Sequence, residues 1–295
     1  MLNKKNKRIA LLDVALTILL LGLFGYFVVY VSKNVAYQWN WSAIPGYMFR
    51  YDDSAGKWVP NLLMEGFFTT VRLSFWATIL AVLIGTVMGV FRISNSRFKR
   101  MIARTYVEIV RNTPPLVLIF IFYFFISDQL INALHVDSFI RSLSDGQKSI
   151  LTFFFASPAH FSGFLSALLT LAIYEGAYIT EIVRSGLESV EKKQWEASYA
   201  LGLSWWQQMV YVILPQAVRR ILPPLAGQLI STIKDSAIVS VISIQELTFQ
   251  GLELMAATYL TFEIWITITA LYFVLTFSCS LIIRKLELYM RRNDP

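Results

Sequence analysis

The 295-residue chain is 56% hydrophobic and 15% aromatic, with only 15% charged residues and a net charge of +7. Soluble domains carry about 25% charged residues, so this composition excludes a water-soluble globule and makes the bilayer the expected solvent. A single cysteine, Cys279, excludes an internal disulfide and, lying in an apolar run, reads as a small core residue.

Apolar stretches of about 20 residues can cross the hydrocarbon core as helices. The first runs from about Ile9 to Val31 after the basic start Lys4, Lys5, Lys7 and Arg8. It is too long for a signal peptide and no small-residue cleavage site follows, so a retained anchor is expected. Residues 32–61 form an outer polar segment holding Trp39-Asn40-Trp41 and the turn-rich YDDSAGKWVP. Aromatic residues beside a span usually sit at headgroup level.

The second span covers about Leu62 to Phe91 and carries Gly85 and Gly89. That GxxxG spacing lets another helix approach closely, although it also arises by chance. Arg111-Asn112-Thr113-Pro114-Pro115 opens the third span, about Pro114 to Leu130, with Asn112 or Thr113 placed to cap it. In the connection 131–160, ILTFFFA at 150–156 is too short to cross and reads as a helix in the outer interface. The remaining spans cover about Phe164 to Val183, Leu225 to Ile244 and Leu260 to Ile283.

Six spans place both termini on one side. Loops on that side hold 19 Lys and Arg, against five on the other. By the positive-inside rule both termini are cytoplasmic, and the basic excess needs no nucleic acid.

Four charged residues fall within spans: Arg72, Glu175, Lys234 and Asp235. Each lies roughly nine or ten residues from a span end, about 14 Å deep at 1.5 Å per residue. Such charges cost several kcal/mol unless paired or wetted. They are expected to cluster near the midplane, either pairing to hold the bundle or lining a cavity suited to a zwitterionic solute.

Between spans four and five lie about forty residues, more than a plain connection needs. They contain EASYALGLSWWQQMVYVILP at 196–215. Gly202 is placed to end a helix in a left-handed cap, while Ala197, Ser198 and Ala200 leave a slim surface for a partner. Ser204 can cap a second helix, carrying Trp205 and Trp206 and stopped before Pro215.

This segment resembles the EAA loop of importer-type ABC transporter permeases. Glu196 and Ala197 match, Gly202 follows six residues after the Glu, and Leu214-Pro215 is in register; Ser198 replaces the second Ala and Val212 the Ile. YVEIVRNTPPLVLIFIFYF at 106–124, AYITEIVRSGLESV at 177–190 and LPPLAGQLISTIKDSAIVSVISIQEL at 222–247 are similar to permeases of polar amino-acid uptake systems, those of histidine, glutamine, arginine and glutamate/aspartate. The similarity covers roughly residues 62–290.

The resemblance implies an all-α membrane protein of about six transmembrane helices, with the type I ABC importer permease fold and a cytoplasmic coupling helix. Its parts would be a cytoplasmic N-terminus and first helix at 1–31, the outer segment 32–61, a core at 62–290 with its EAA loop at about 185–223, and a tail at 291–295. Glu196, Ala197, Ser198, Gly202, Leu214 and Pro215 would couple to a cytoplasmic ATPase dimer. ATP and Mg would belong to that ATPase, since this chain has no GxxxxGK[ST] loop and is expected to bind no cofactor and perform no catalysis.

A second permease subunit, sister or identical, and a periplasmic or surface-anchored binding protein are implied, in a bacterial cytoplasmic (inner) membrane. Arg72 and Lys234 meeting carboxylates, with Glu175 or Asp235 meeting an amino group, lean the expected solute towards acidic or general L-amino acids. The alternative is an ion-coupled secondary amino-acid transporter, which usually shows internal repeats; the two halves of this sequence show none. A membrane enzyme is disfavoured, because His135 and His160 have no partners at metal-ligand spacing.

Overall fold

Inside hydrocarbon every backbone N–H and C=O must find a partner within its own segment, so apolar runs of this length fold as helices. The computed structural model describes residues 11–34, 37–54 and 56–292. The expected basic start at 1–10 and the last residues of the tail, 293–295, lie outside the described residues. The chain divides into two units, one ending at Trp41 and the other starting at Ser42.

The first unit contains α1, Leu11–Asn34, which overlaps the first expected span from Leu11 to Val31. Its apolar centre is Val14–Leu23.

In the second unit a short helical turn, Ile44–Met48, leads into a hairpin that the sequence shows only as turn-rich. β1 (Phe49–Asp52) pairs antiparallel with β2 (Lys57–Pro60). Tyr51 faces Trp58 across it, with ring centroids 5.7 Å apart. The helices that follow are α2 (Leu62–Ile93), α3 (Arg97–Asn112), α4 (Pro115–Ala133), α5 (Val136–Ser142) and α6 (Asp145–Phe154). Then come α7 (Phe161–Glu188), α8 (Lys192–Ala200), α9 (Trp205–Ile242), α10 (Leu247–Thr258) and α11 (Thr261–Arg292). Among the described residues five helical stretches are long and apolar enough to cross a membrane, belonging to α2, α4, α7, α9 and α11. With α1 they make up the expected set of about six.

α7 is the axis of this unit, and α2 lies along it. The spacing of Gly85 and Gly89 is what brings them together. A Cβ built on Gly85 would stand 2.5 Å from Ile179 Cγ2 and 3.0 Å from the Thr180 backbone nitrogen, and one on Gly89 would stand 2.6 Å from Val183 Cγ1. Around this seam Leu73 and Ala77 of α2 join Phe164, Leu168 and Leu171 of α7 in a buried apolar cluster. α6 occupies 145–154, where a helix of the 131–160 connection was expected, and leaves Ile150, Phe153 and Phe154 exposed.

Two local expectations are corrected. Asn112 and Thr113 do not cap α4; the Asn112 amide donates to Glu108 O at 2.8 Å and the Thr113 hydroxyl to Ile109 O at 2.7 Å, so both close the end of α3. Pro215 does not stop a helix either, because α9 runs through it. A wider π turn over Gln208–Ile213 immediately precedes the proline. Such turns shift the hydrogen-bond ladder and accommodate a residue with no N–H to give. The connection between α7 and α9 therefore shrinks from about forty residues to 189–204.

α9 ends where Ser243 adopts a left-handed backbone, φ 60°. Glu246 then caps α10: its Oε1 accepts from Phe249 N at 2.8 Å, and its Oε2 from Tyr272 OH at 2.8 Å and Thr70 Oγ1 at 3.3 Å. The side chain is fully buried, and burial pushes its carboxyl up to about 7. Glu246 thus ties α2, α10 and α11 at one point. Glu246→Ala removes the cap and the hydrogen bonds from Thr70 and Tyr272, so a loss of about 2–3 kcal/mol is expected. A thermal-shift comparison in detergent measures it, and an unchanged Tm would show the tie to be dispensable.

Candidate functional site

Glu175 lies midway along α7 and is fully buried. Gln228 and Asp235 are two helical turns apart on α9 and so share a face. That face meets α7: the Gln228 amide donates to Glu175 Oε2 at 2.6 Å. Glu175 Oε1 is buried without a hydrogen-bond partner among the described residues, and its electrostatic neighbour is a second carboxyl, Asp235. No Lys or Arg forms an ion pair with either group among the described residues.

The four spanning charges therefore do not form one cluster. Lys234 is exposed, because one residue along a helix turns the side chain by about 100°. Arg72 is turned towards α6: its Nε donates to Phe68 O at 3.0 Å and its Nη1 to Thr152 O. Trp76 Nε1 adds a bond to Phe154 O at 2.9 Å. The last carbonyls of α6 thus receive a cation and two donors, as the negative end of a helix favours. Only Glu175 and Asp235 are brought together. Gln228 was not singled out from the sequence, although its seven-residue spacing from Asp235 is the signal that places it there.

A cavity of about 590 Å³ opens beside Gln228, the hydrogen-bond partner of Glu175. Gln228 lines it together with Tyr178, Arg111, Arg184 and Arg220, and Ser189 in its wall brings it to the start of the 189–204 connection. Arg111 lies over the Tyr178 ring, 5.4 Å from its centroid. Arg184 is held by Glu181 at 2.7 Å and by Glu188, and Glu181 also binds Arg92 of α2 at 2.9 Å. The wall is therefore polar, and its cations are oriented by carboxylates, an aromatic ring and backbone carbonyls.

The 189–204 connection is rigidly built. α8 ends with Gly202 at φ +74°, its N–H donating to Tyr199 O at 2.9 Å and that of Leu203 to Ser198 O at 3.3 Å. This is the paired C-terminal closure that a left-handed glycine permits. Ser204 and Gln207 cap α9 reciprocally, with Ser204 N donating to Gln207 Oε1 at 2.9 Å and Gln207 N to Ser204 Oγ at 3.4 Å.

Glu196, Ala197, Gly202 and Pro215 are exposed, and Leu214 is half-buried. Ser198 is a correction: it is buried and donates to Trp195 O at 2.8 Å, so it anchors the helix and offers no surface to a partner. The outward face instead shows Tyr199 and Leu201, 77% and 78% exposed. A short helix with large apolar side chains pointing outward is built to be covered.

Residues 81–292 match the family described as "Binding-protein-dependent transport system inner membrane component". The chain belongs to this family of membrane permeases.

Among its relatives, the glutamine transport system permease protein of Escherichia coli (strain K12) is 34% identical over 260 residues, covering 86% of this chain and 99% of the relative. A probable glutamine ABC transporter permease protein of Bacillus subtilis (strain 168) is 29% identical, covering 79% and 95%. The glutamate/aspartate import permease protein of Escherichia coli O157:H7 is 27% identical, covering 85% and 98%. A crystal structure of an amino acid ABC transporter with histidines superposes with TM-score 0.64 at 30% identity, over 86% of the permease and all of that chain. The inward-facing MetNI methionine ABC transporter superposes with TM-score 0.54 at 20% identity, over 76% and 95%, and shows the fold alone. The permease is thus an all-α, multi-pass membrane component with the type I ABC importer fold.

Proposed function

We propose that the permease is the pathway subunit of an ATP-driven importer of polar amino acids, with the Glu175–Asp235 pair receiving the solute's ammonium group. The observation carrying this reading is the buried Glu175 carboxyl beside Asp235, with one unpartnered oxygen and no ion pair to a cation among the described residues, bonded to Gln228, which lines a polar cavity. An unpaired buried carboxylate is costly, and an arriving ammonium supplies both the charge and the N–H donors it needs.

Arg72, held at the end of α6, is withdrawn from the pair, which moves the expected solute away from acidic side chains and towards neutral polar ones. Relatives named for glutamine support that shift, while one named for glutamate/aspartate keeps acidic solutes within the class.

Membership of the family supports the remaining parts of this reading. α8, with Glu196, Ala197 and Gly202 outward, would dock on a separate cytoplasmic ATPase dimer, which holds the ATP and Mg. The permease itself would bind no cofactor and do no covalent chemistry. A second permease subunit would complete the pathway, and a periplasmic or surface-anchored binding protein would deliver the solute. The 189–204 connection would then face the cytoplasm and residues 131–160 the outside, with both termini cytoplasmic, as the distribution of Lys and Arg requires.

Glu175→Gln tests the site. It keeps the shape and removes the charge, so uptake of labelled L-glutamine by the reconstituted importer should fall about 10–100-fold, the worth of one charged hydrogen bond. Lys234→Met, whose side chain is exposed about 100° round the helix from Asp235, should have a much smaller effect. Equal uptake in wild type and Glu175→Gln would remove the pair from the pathway.

A further inference from the structure

A second cavity, of about 440 Å³, lies at the opposite end of the bundle, where α2 and α7 begin and α9 ends. Glu65, Thr69 and Arg72 line it from α2 at positions i, i+4 and i+7, which is one face of the helix. Gln250 of α10 closes another wall. Glu65 is exposed and Arg72 half-buried; the two opposite charges share this cavity, yet neither forms an ion pair among the described residues. Gln250 is 97% buried, and its Oε1 has no hydrogen-bond partner among the described residues.

The cavity stops at Phe164 and Ile242, which belong with Leu171 and Tyr174 to the buried apolar cluster. It is therefore a compartment separate from the Gln228 cavity.

We infer that this compartment is a receiving site for the head group of a zwitterionic α-amino acid, occupied before the solute reaches Glu175; the inference rests on the amino-acid reading above. Two of the five guanidinium N–H donors of Arg72 are taken by Phe68 O and Thr152 O. The others are free to meet a carboxylate in a partly buried setting where the bond is charge-assisted. Glu65, exposed on the same face of α2, supplies the acceptor for the ammonium. A solute released from a binding protein would otherwise be lost to the outer water while Phe164 and Ile242 stay closed.

The test uses the complete importer, permease with ATPase, in lipid nanodiscs with a non-hydrolysable ATP analogue and no binding protein, titrated with labelled L-glutamine. Saturable binding is expected, weakened about tenfold in Glu65→Gln and in Arg72→Gln. Because Arg72 also holds α6, the decisive comparison is at Glu65. Wild type should bind the des-amino analogue of glutamine about tenfold more weakly than glutamine, and Glu65→Gln should close that gap. A merely structural Glu65 would leave the discrimination intact, and that result overturns the receiving site.

Binding abolished in Glu175→Gln but unchanged in Glu65→Gln also overturns it, placing the solute at the central pair alone. Normal ATP-driven uptake without saturable binding overturns the receiving site and spares the importer reading. A wild-type complex that imports no amino acid overturns the importer reading itself.

Discussion

Glu196→Lys is expected to abolish ATP-driven uptake while the permease still inserts, folds and accumulates normally. The side chain is exposed on α8, and nothing in the fold depends on it: the helix is anchored inward by Ser198 and closed by Gly202 and the Ser204–Gln207 box. A charge reversal on a docking helix costs about 3 kcal/mol or more when its partner group is left unpaired, equivalent to roughly a hundredfold weaker docking. Co-purification of the ATPase with the variant, set beside uptake, reads both consequences. Lys192→Met, at the start of the same helix, should leave both near wild type. Undiminished uptake in Glu196→Lys would end the assignment of α8 as the coupling element.

The second large effect belongs to the seam between α2 and α7. Gly85→Leu places a side chain where even a Cβ would stand 2.5 Å from Ile179 Cγ2, 2.6 Å from Ile179 Cβ and 3.0 Å from Thr180 N. Ile179 Cβ and Thr180 N are fixed by the backbone and no rotamer change moves them, so the helices must part along the cluster of Ala81, Ile179 and Val183. Overpacking of a core costs about 1–3 kcal/mol. Here the upper end or beyond is expected, because α7 also carries Glu175 and the Glu181 network. The variant should accumulate poorly and aggregate on size-exclusion chromatography. Gly227→Ala is the control: nothing lies within 4 Å of its Cβ position, and removing a helical glycine gains up to about 1 kcal/mol. A Gly85→Leu permease that is monodisperse and as heat-stable as wild type would show that the seam is not where α2 and α7 are held.

Much of this molecule is legible in its sequence, and the illegible parts share a cause. Span positions follow from one-dimensional apolar runs, and the EAA-like loop from local turn chemistry at Gly202 and Ser204, so both were readable. Gly85 and Gly89 carried the α2–α7 contact, although their spacing alone cannot separate a seam from chance. Which way a buried charge points depends on helix rotation, and hydropathy does not encode it. That is why Arg72, expected beside Glu175, instead serves the end of α6. Glu246 escaped notice because its partners Thr70 and Tyr272 are 176 and 26 residues away. Pro215 was misread for a related reason: a π turn is invisible in composition, and without it a proline looks like a stop.

The most direct test of the account is uptake by proteoliposomes containing the permease, its sister or second copy and the ATPase, with binding protein outside. Labelled L-glutamine is supplied, and ATP is either trapped inside or replaced by a proton or sodium gradient. The account predicts accumulation only with trapped ATP and binding protein, reduced by unlabelled polar amino acids. Accumulation driven by an ion gradient without ATP would contradict it.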